Sequence, residues 1–157
     1  MKIVWEFTNK RKLTAGEFVK YFEKKVKNTI RKYNMPITSI NSTSLNAKVI
    51  NSILSPLPSR KGSLREESLD DISVSVLCEM IYGKSENLKK FLPKNQPLYF
   101  LSEKEILLYG KIKKLKERLR EREGKEKEAE DFIRKIEKNN PDVMHNIVNA
   151  LQSTGIS

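Results

Sequence analysis

The chain has 157 residues and a net charge of +11 at pH 7, with 32% charged and 38% hydrophobic residues, a composition typical of a folded basic protein and unlike a disordered one. Its single cysteine, Cys78, excludes an internal disulfide, and the absence of a Cys-x-x-Cys pair excludes a structural zinc site within the chain. Because no apolar run of membrane-spanning length and no signal-peptide pattern occurs, we expect a cytoplasmic protein without membrane contact, folded as a single domain over residues 1–157.

The positive charge is concentrated in two segments. Residues 9–34 hold nine Lys and Arg against two Glu, and residues 111–138 hold twelve against eight acids, for net charges of +7 and +4. The rest of the chain sums to zero. Such a distribution is expected of a surface that meets phosphates. Solvated Lys-rich helix faces would give the same counts, above all in the second segment, where acids are interleaved.

The first predicted elements are a short N-terminal strand and a long amphipathic helix. Apolar residues alternate over residues 2–7, which predicts a strand, although an ordered arm over residues 1–12 would fit the same pattern. Thr14 and Glu17 have the spacing of a capping box, and the helix that they begin is expected to end at Pro36. Its predicted core face carries Phe18, Phe22, Val26, Ile30 and Tyr33. Its opposite face carries the cations Lys20, Lys24, Lys27 and Arg31.

The region after Pro36 reads as strand, loop and helix. Residues 37–40 alternate and predict a second short strand, which the polar loop Asn41-Ser42-Thr43-Ser44 follows. The next helix is marked by the apolar residues Leu45, Val49, Ile50, Ile53 and Leu54. Residues 55–68 are rich in Pro, Gly and Ser and are predicted to be a connection.

A third helix is predicted from Ser68 to Gly83. Ser68 is the expected N-cap, and Asp70 and Asp71 in the first turn are explained by capping and by the helix dipole without a metal or acid–base role. The residues expected to face inward are Ile72, Val76, Leu77, Met80 and Ile81. Cys78 lies on the same helix and is expected to be a buried, dispensable core residue.

The C-terminal half is predicted to be helical. One or two helical turns are expected over residues 86–92. Ser102 and Glu105 have the spacing of another capping box, and Leu101 and Ile106 stand where a hydrophobic staple would place them. This helix is expected to continue to Glu123, with its highly charged second half in solvent. Later helices are indicated by Phe132, Ile133 and Ile136 and by Val143, Ile147, Val148 and Leu151. His145, on the last one, has no partner ligand in the sequence and is expected at the surface or half-buried.

Several of these stretches resemble the tRNA thiouridylase group (TtuA, TtcA and the cytosolic tRNA 2-thiolation proteins) of the N-type ATP-pyrophosphatase superfamily. The similar positions are Pro97-Leu98-Tyr99, the Glu103-Lys104-Glu105-Ile106-Leu107-Leu108-Tyr109 helix, the set Phe22, Thr29, Ile30 and Tyr33, the pair Asp70-Asp71, and residues 141–148. They occur in the family's order. The resemblance implies a helix-rich α/β fold, a truncated ATP-pyrophosphatase domain over residues 13–157 with a short residual sheet and six or seven helices.

The same resemblance implies that activity has been lost. The family's glycine-rich pyrophosphate loop is replaced by Asn41-Ser42-Thr43-Ser44, whose side chains oppose the close backbone approach of a phosphate cradle, and the family's catalytic cysteines are absent. No cofactor or metal is expected. The predicted function is that of a pseudoenzyme related to tRNA 2-thiolation proteins, acting as an RNA-binding factor or as a subunit of an active thiouridylase.

A basic RNA-binding protein of the ribosome, or of another ribonucleoprotein, is the alternative. An enzyme with an unrelated site is a third reading, although no set of nucleophile, base or metal ligands can be named for it. In the first two readings the partner is RNA, either tRNA or ribosomal RNA. The predicted RNA-binding residues are Lys20, Lys24, Lys27 and Arg31 of the first helix.

Overall fold

The computed structural model describes residues 2–83, 85–116 and 118–153, with the side chain of Ser85 excepted. These residues form two strands, β1 (Ile3–Glu6) and β2 (Lys12–Thr14), and six α-helices joined by loops and one 3-10 helix, Ser85–Phe91. The α-helices are α1 (Ala15–Lys32), α2 (Leu45–Leu54), α3 (Leu69–Tyr82), α4 (Glu103–Ile112), α5 (Gly124–Glu137) and α6 (Val143–Ser153). The prediction of a helix-rich fold with a short sheet is confirmed.

The sheet is an N-terminal hairpin. β1 and β2 pair antiparallel, with Trp5 opposite Leu13 and Glu6 opposite Lys12, and a bulge interrupts the register between Ile3 and Trp5. The turn closes with a hydrogen bond of 2.9 Å from the Lys10 N–H to the Phe7 carbonyl. The strand predicted over residues 2–7 is therefore present, and its partner is the segment that runs directly into α1.

Local capping explains where the helices begin. Thr14 and Glu17 form the predicted capping box of α1, and Ser102 and Glu105 form that of α4. Ser68 caps α3. In each box a hydroxyl accepts the N–H of the third helical residue, and the acidic side chain of that residue accepts the N–H of the cap.

Two hydrophobic clusters make up the core. The first cluster joins the hairpin, α1, α2 and α4, with Phe22 and Tyr109 stacked at 4.3 Å between ring centroids near its centre. The second cluster joins α3, the 3-10 helix, α5 and α6 around Leu69, Ile72 and Val148. The apolar face predicted for α1 is confirmed, since Phe18, Phe22 and Val26 are fully buried in the first cluster and Ile30 is buried beside them.

The helix predicted from Ser102 to Glu123 is wrong in its second half. α4 ends at Ile112, and Lys114 has a φ of 58°, which lies in the left-handed region and ends the helix. Beyond it, Leu115 and Leu119 pack against the first cluster. Residues 113–116 and 118–123 therefore run along the protein without helical structure, with Leu115, Leu119 and Arg122 packed against it and the other side chains exposed.

Three smaller predictions also fail. Residues 37–40 form no strand, and one bridge between Ile37 and Arg60 is all that remains of it. On α3, Met80 and Ile81 are 65% and 56% exposed, although the spacing of apolar residues had placed both inside. Cys78 is half-buried at the edge of the second cluster and not fully buried.

None of the described helices combines the length and the apolar character needed to cross a membrane.

Candidate functional site

The four predicted RNA-binding residues share one exposed side of α1. Lys20, Lys24, Lys27 and Arg31 follow each other at spacings of four, three and four, which align them along the helix. We call this set the cationic face. None of its members lies within salt-bridge distance of an acid in the described part of the chain. The face therefore presents four charges to solvent.

The glutamates of α1 are engaged away from the cationic face. Glu17 accepts hydrogen bonds from Thr14, which hold the pKa of its carboxyl below the ordinary value. Glu23 accepts a hydrogen bond of 2.7 Å from the hydroxyl of Tyr109 on α4, and the ammonium of Lys113 lies 3.9 Å from it. Neither acid lies within salt-bridge distance of the four cations, although the charge of Lys20 contributes to the lowered pKa of Glu17.

Several charges of the second basic segment are paired with acids of the protein, both in its interior and at its surface. The guanidinium of Arg122 is buried and pairs with Asp71, Glu103 and Glu130, and its distance to Asp71 is 2.5 Å. Arg120 pairs with Glu126 at 2.6 Å on the surface. Three of the segment's four arginines, Arg120, Arg122 and Arg134, are thus paired with acids, unlike the members of the cationic face.

The acids around Arg122 lie on three helices, with Asp71 and Glu103 near the N-termini of α3 and α4 and Glu130 within α5. Asp71 caps α3, while Asp70, only 1% exposed, accepts the backbone N–H of Glu103 at 2.8 Å and pairs with Arg134 at 2.5 Å. Burial, followed by the neighbouring Asp70 charge, raises the pKa of Glu103. We call Asp70, Asp71, Glu103, Arg122, Glu130 and Arg134 the Arg122 network. The capping role predicted for Asp71 is confirmed, and Asp70 has an additional interior role.

The loop before α2 stands where the resemblance places a pyrophosphate loop. Ser44 caps α2, and its hydroxyl donates a hydrogen bond of 2.8 Å to the carboxylate of Glu66. The backbone carbonyl of Glu66 in turn accepts the amide of Asn46 at 2.8 Å. The chain's own carboxylate thus lies at this helix N-terminus, where a bound anion would be favoured by the helix dipole.

A polar cavity lies between the two hydrophobic clusters, and the sequence did not reveal it. Tyr21 and Lys25 of α1 line it together with Glu105 of α4 and His145 of α6. The Tyr21 hydroxyl donates a hydrogen bond of 2.6 Å to Glu105, and burial, aided by that carboxylate, raises the pKa of Tyr21. The one sequence signal was a Tyr and a Lys four residues apart at the border of the apolar face of α1. His145 is half-buried, as expected.

No family model matches this chain, and no curated protein matches it in sequence. Its fold is similar to that of the U34-tRNA thiolase NcsA from Methanococcus maripaludis, a structure that includes a [4Fe-4S] cluster. The TM-score is 0.73 with 15% sequence identity, and the alignment covers 97% of this chain and 84% of that chain. A solved structure thus supports the part of the expectation that concerns a fold like that of a tRNA thiolase.

The residues of this chain do not fit such a cluster. Iron–sulfur clusters are held by several cysteine thiolates, and Cys78 is the one cysteine in the sequence. Burial, followed by the charge of Glu126, raises the pKa of the Cys78 thiol, which disfavours the thiolate. Across residues 2–83, 85–116 and 118–153, no group of three or more His, Cys, Asp or Glu side chains could hold a metal ion.

Proposed function

We propose that this chain is a non-catalytic, reduced relative of the tRNA 2-thiolation proteins that binds RNA, either alone or as a subunit beside an active thiouridylase. The observation that carries the proposal is the cationic face of α1, four exposed cations without an acidic partner among the described residues, on a fold similar to that of a tRNA thiolase. Its natural ligand is a phosphate backbone, because aligned cations gain affinity by releasing the counterions condensed on nucleic acid.

Two features support the absence of catalysis. Adenylation needs a backbone cradle for pyrophosphate, and Asn41-Ser42-Thr43-Ser44 offers no glycine for it. Glu66, hydrogen-bonded to Ser44 at the start of α2, would repel the phosphates of ATP. Sulfur chemistry through several cysteines has no basis in a chain that has one.

A salt titration tests the proposed RNA surface. Affinity for tRNA should fall linearly with the logarithm of salt concentration, with a slope of about −0.7 to −0.9 per phosphate contact. Replacing Lys20, Lys24, Lys27 and Arg31 together by Gln keeps helix propensity nearly constant and should reduce the slope by about three units if each makes a contact. A variant with unchanged affinity and slope would show that the cationic face is only solvated.

Affinity purification from native cells identifies the assembly. Co-purification of an active thiouridylase supports the subunit role, whereas ribosomal subunits would support the alternative role in a ribonucleoprotein. The quadruple variant is the matched control, because a partner bound through RNA should be lost with the cationic face. A partner that docks on another surface of the protein should be retained.

A further inference from the structure

A cavity of about 590 Å³ separates the N-terminal hairpin and α1 from the start of α6. Its walls come from six elements, the hairpin and the five helices α1, α3, α4, α5 and α6. Trp5, Phe7 and Tyr21 supply an aromatic wall, in which the rings of Phe7 and Tyr21 meet edge to face at 5.1 Å between centroids. The volume lies within the range of pockets that hold small organic ligands.

The interior acids of the cavity already have partners. Asp70 is paired with Arg134 at 2.5 Å, and Glu137 lies 3.4 Å from the same guanidinium. Glu105, only 4% exposed, accepts the hydroxyl of Tyr21 and both the hydroxyl and the backbone N–H of its own helix cap. Little acceptor capacity is therefore left in the interior of the cavity.

Two further acids of the lining, Glu6 and Asp142, are exposed to solvent, and the half-buried groups left without a strong partner are donors. The ammonium of Lys25 makes one hydrogen bond, of 3.3 Å to the Tyr21 hydroxyl, and no acid of the described chain comes within salt-bridge distance of it. The indole N–H of Trp5 is buried and, within the described residues, has no acceptor. His145 lines the same cavity, and the N–H of its ring is a further donor. A ligand that completes this cavity must accept hydrogen bonds.

The pKa shifts of Lys25 and His145 agree with this conclusion. Burial lowers the pKa of the Lys25 ammonium, and Glu105 offsets only part of that effect. Burial also lowers the pKa of His145, and the Lys25 charge lowers it further. Burial therefore makes the positive charge of Lys25 costly, and a bound anion would offset that cost.

We propose that this cavity binds a small organic anion, with one carboxylate or phosphate group held by Lys25 and an apolar or aromatic body placed against Trp5 and Phe7. The site is separate from the cationic face, because Lys25 lies on the buried border of α1 while Lys24 points to solvent. The proposal stands independently of RNA binding.

Trp5 is the only tryptophan of the chain, so its fluorescence reports directly on the cavity. The probes are benzoate, uridine monophosphate and inorganic phosphate, which separate a carboxylate from a phosphate and an organic anion from a bare one. We expect benzoate or uridine monophosphate to change the Trp5 emission saturably. Inorganic phosphate should bind more weakly than the organic probe, since it cannot contact the aromatic wall.

Lys25→Met and Lys24→Met form a matched pair of variants. Met keeps the apolar stem and much of the helix propensity of Lys, and thermal unfolding of both variants measures the stability lost with the charge beside Glu105. Lys25→Met should weaken probe binding by about tenfold or more, a difference of about 1.4 kcal/mol. Lys24→Met should leave probe binding unchanged, and it should weaken binding only to tRNA.

A second variant, His145→Gln, guards against a fold defect in the first. This substitution removes the ionisable ring and keeps a hydrogen-bond donor. It should change the Trp5 fluorescence response to a saturating probe. Thermal unfolding checks that the fold is intact. The proposal is overturned if no probe alters Trp5 emission up to about 10 mM, far above a Kd of specific binding. Equal probe affinity in Lys25→Met and Lys24→Met, or phosphate binding as tightly as the organic probes, would overturn it as well.

Discussion

The guanidinium of Arg122 lies 2.5 Å from the carboxylate of Asp71, a residue 51 positions earlier in the chain. Removing one partner from a buried ion pair is costly, because the other charges stay behind without compensation. Arg122→Gln leaves Asp71, Glu103 and Glu130 close together, so we expect it to lower the free energy of unfolding by about 3 kcal/mol. Urea denaturation followed by circular dichroism measures this.

Arg120→Gln is the control for that measurement. Its salt bridge to Glu126 is exposed, and such pairs contribute less than about 1 kcal/mol. Both variants remove one arginine from the same non-helical segment, so a difference between them isolates the effect of burial. Equal losses of stability in the two variants would contradict the interior role of Arg122.

Acid should destabilise the protein through His145. Burial and then Lys25 lower its pKa from the ordinary 6.5, while Glu105, Asp142 and Asp70 act in the opposite direction without outweighing them. Protonation is therefore less favourable in the folded chain than in the unfolded one. The free energy of unfolding is unaffected at neutral pH, where both states are unprotonated, and it falls as the pH drops below about 6.5 through the lowered pKa.

Urea titrations from about pH 7.5 to about pH 5 test this pH dependence. His145→Gln places a neutral amide at the same position, so the variant should lose the part of the decline that begins near the ordinary histidine pKa. A decline of the same size in both proteins would assign the acid sensitivity to carboxyl groups instead.

ATP with magnesium should not bind to the isolated protein in the micromolar range. The loop Asn41-Ser42-Thr43-Ser44 has no glycine, and Glu66 is hydrogen-bonded at the helix start that a pyrophosphate would need. Isothermal calorimetry settles the question, with Glu66→Gln as a companion that removes the repelling charge. Micromolar binding to the unmodified chain would contradict the pseudoenzyme proposal.

Cys78→Ala should leave RNA binding and probe binding unchanged. Cys78 is half-buried at the edge of the second cluster, so the substitution should cost less than about 1 kcal/mol of stability. Thermal unfolding and the salt titration with tRNA measure the two effects. Loss of RNA affinity with an unchanged melting temperature would give this thiol a functional role.

The elements that the sequence predicts well are those set by neighbours in the chain. Thr14 with Glu17 and Ser102 with Glu105 start helices through contacts three residues apart, and the pattern from Phe18 onward identifies both faces of α1. The cationic face follows from the same spacing. Local rules are sufficient for these features because each uses hydrogen bonds or packing within one helix.

The remaining features depend on contacts between distant residues. The charged stretch after α4 consists of strong helix formers, yet Leu115 and Leu119 pack on the first cluster and Arg122 reaches three acids, so tertiary contacts override helix propensity. The neighbouring sequence does not indicate that Arg122 is buried while the arginines around it are exposed. The cavity was missed for the same reason, since its walls come from six elements.

The backbone N–H groups of residues 118–123 donate no hydrogen bond to the described backbone, and so the buried side chain of Arg122 does much to fix the position of this segment. Segments without such bonds usually exchange their amide protons with solvent first, through local opening. Here opening must also separate Arg122 from carboxylates on α3, α4 and α5. The rate of amide hydrogen exchange along this segment therefore depends on the stability of both hydrophobic clusters. Through the side chain of Arg122, opening of this surface loop is coupled to unfolding of the interior.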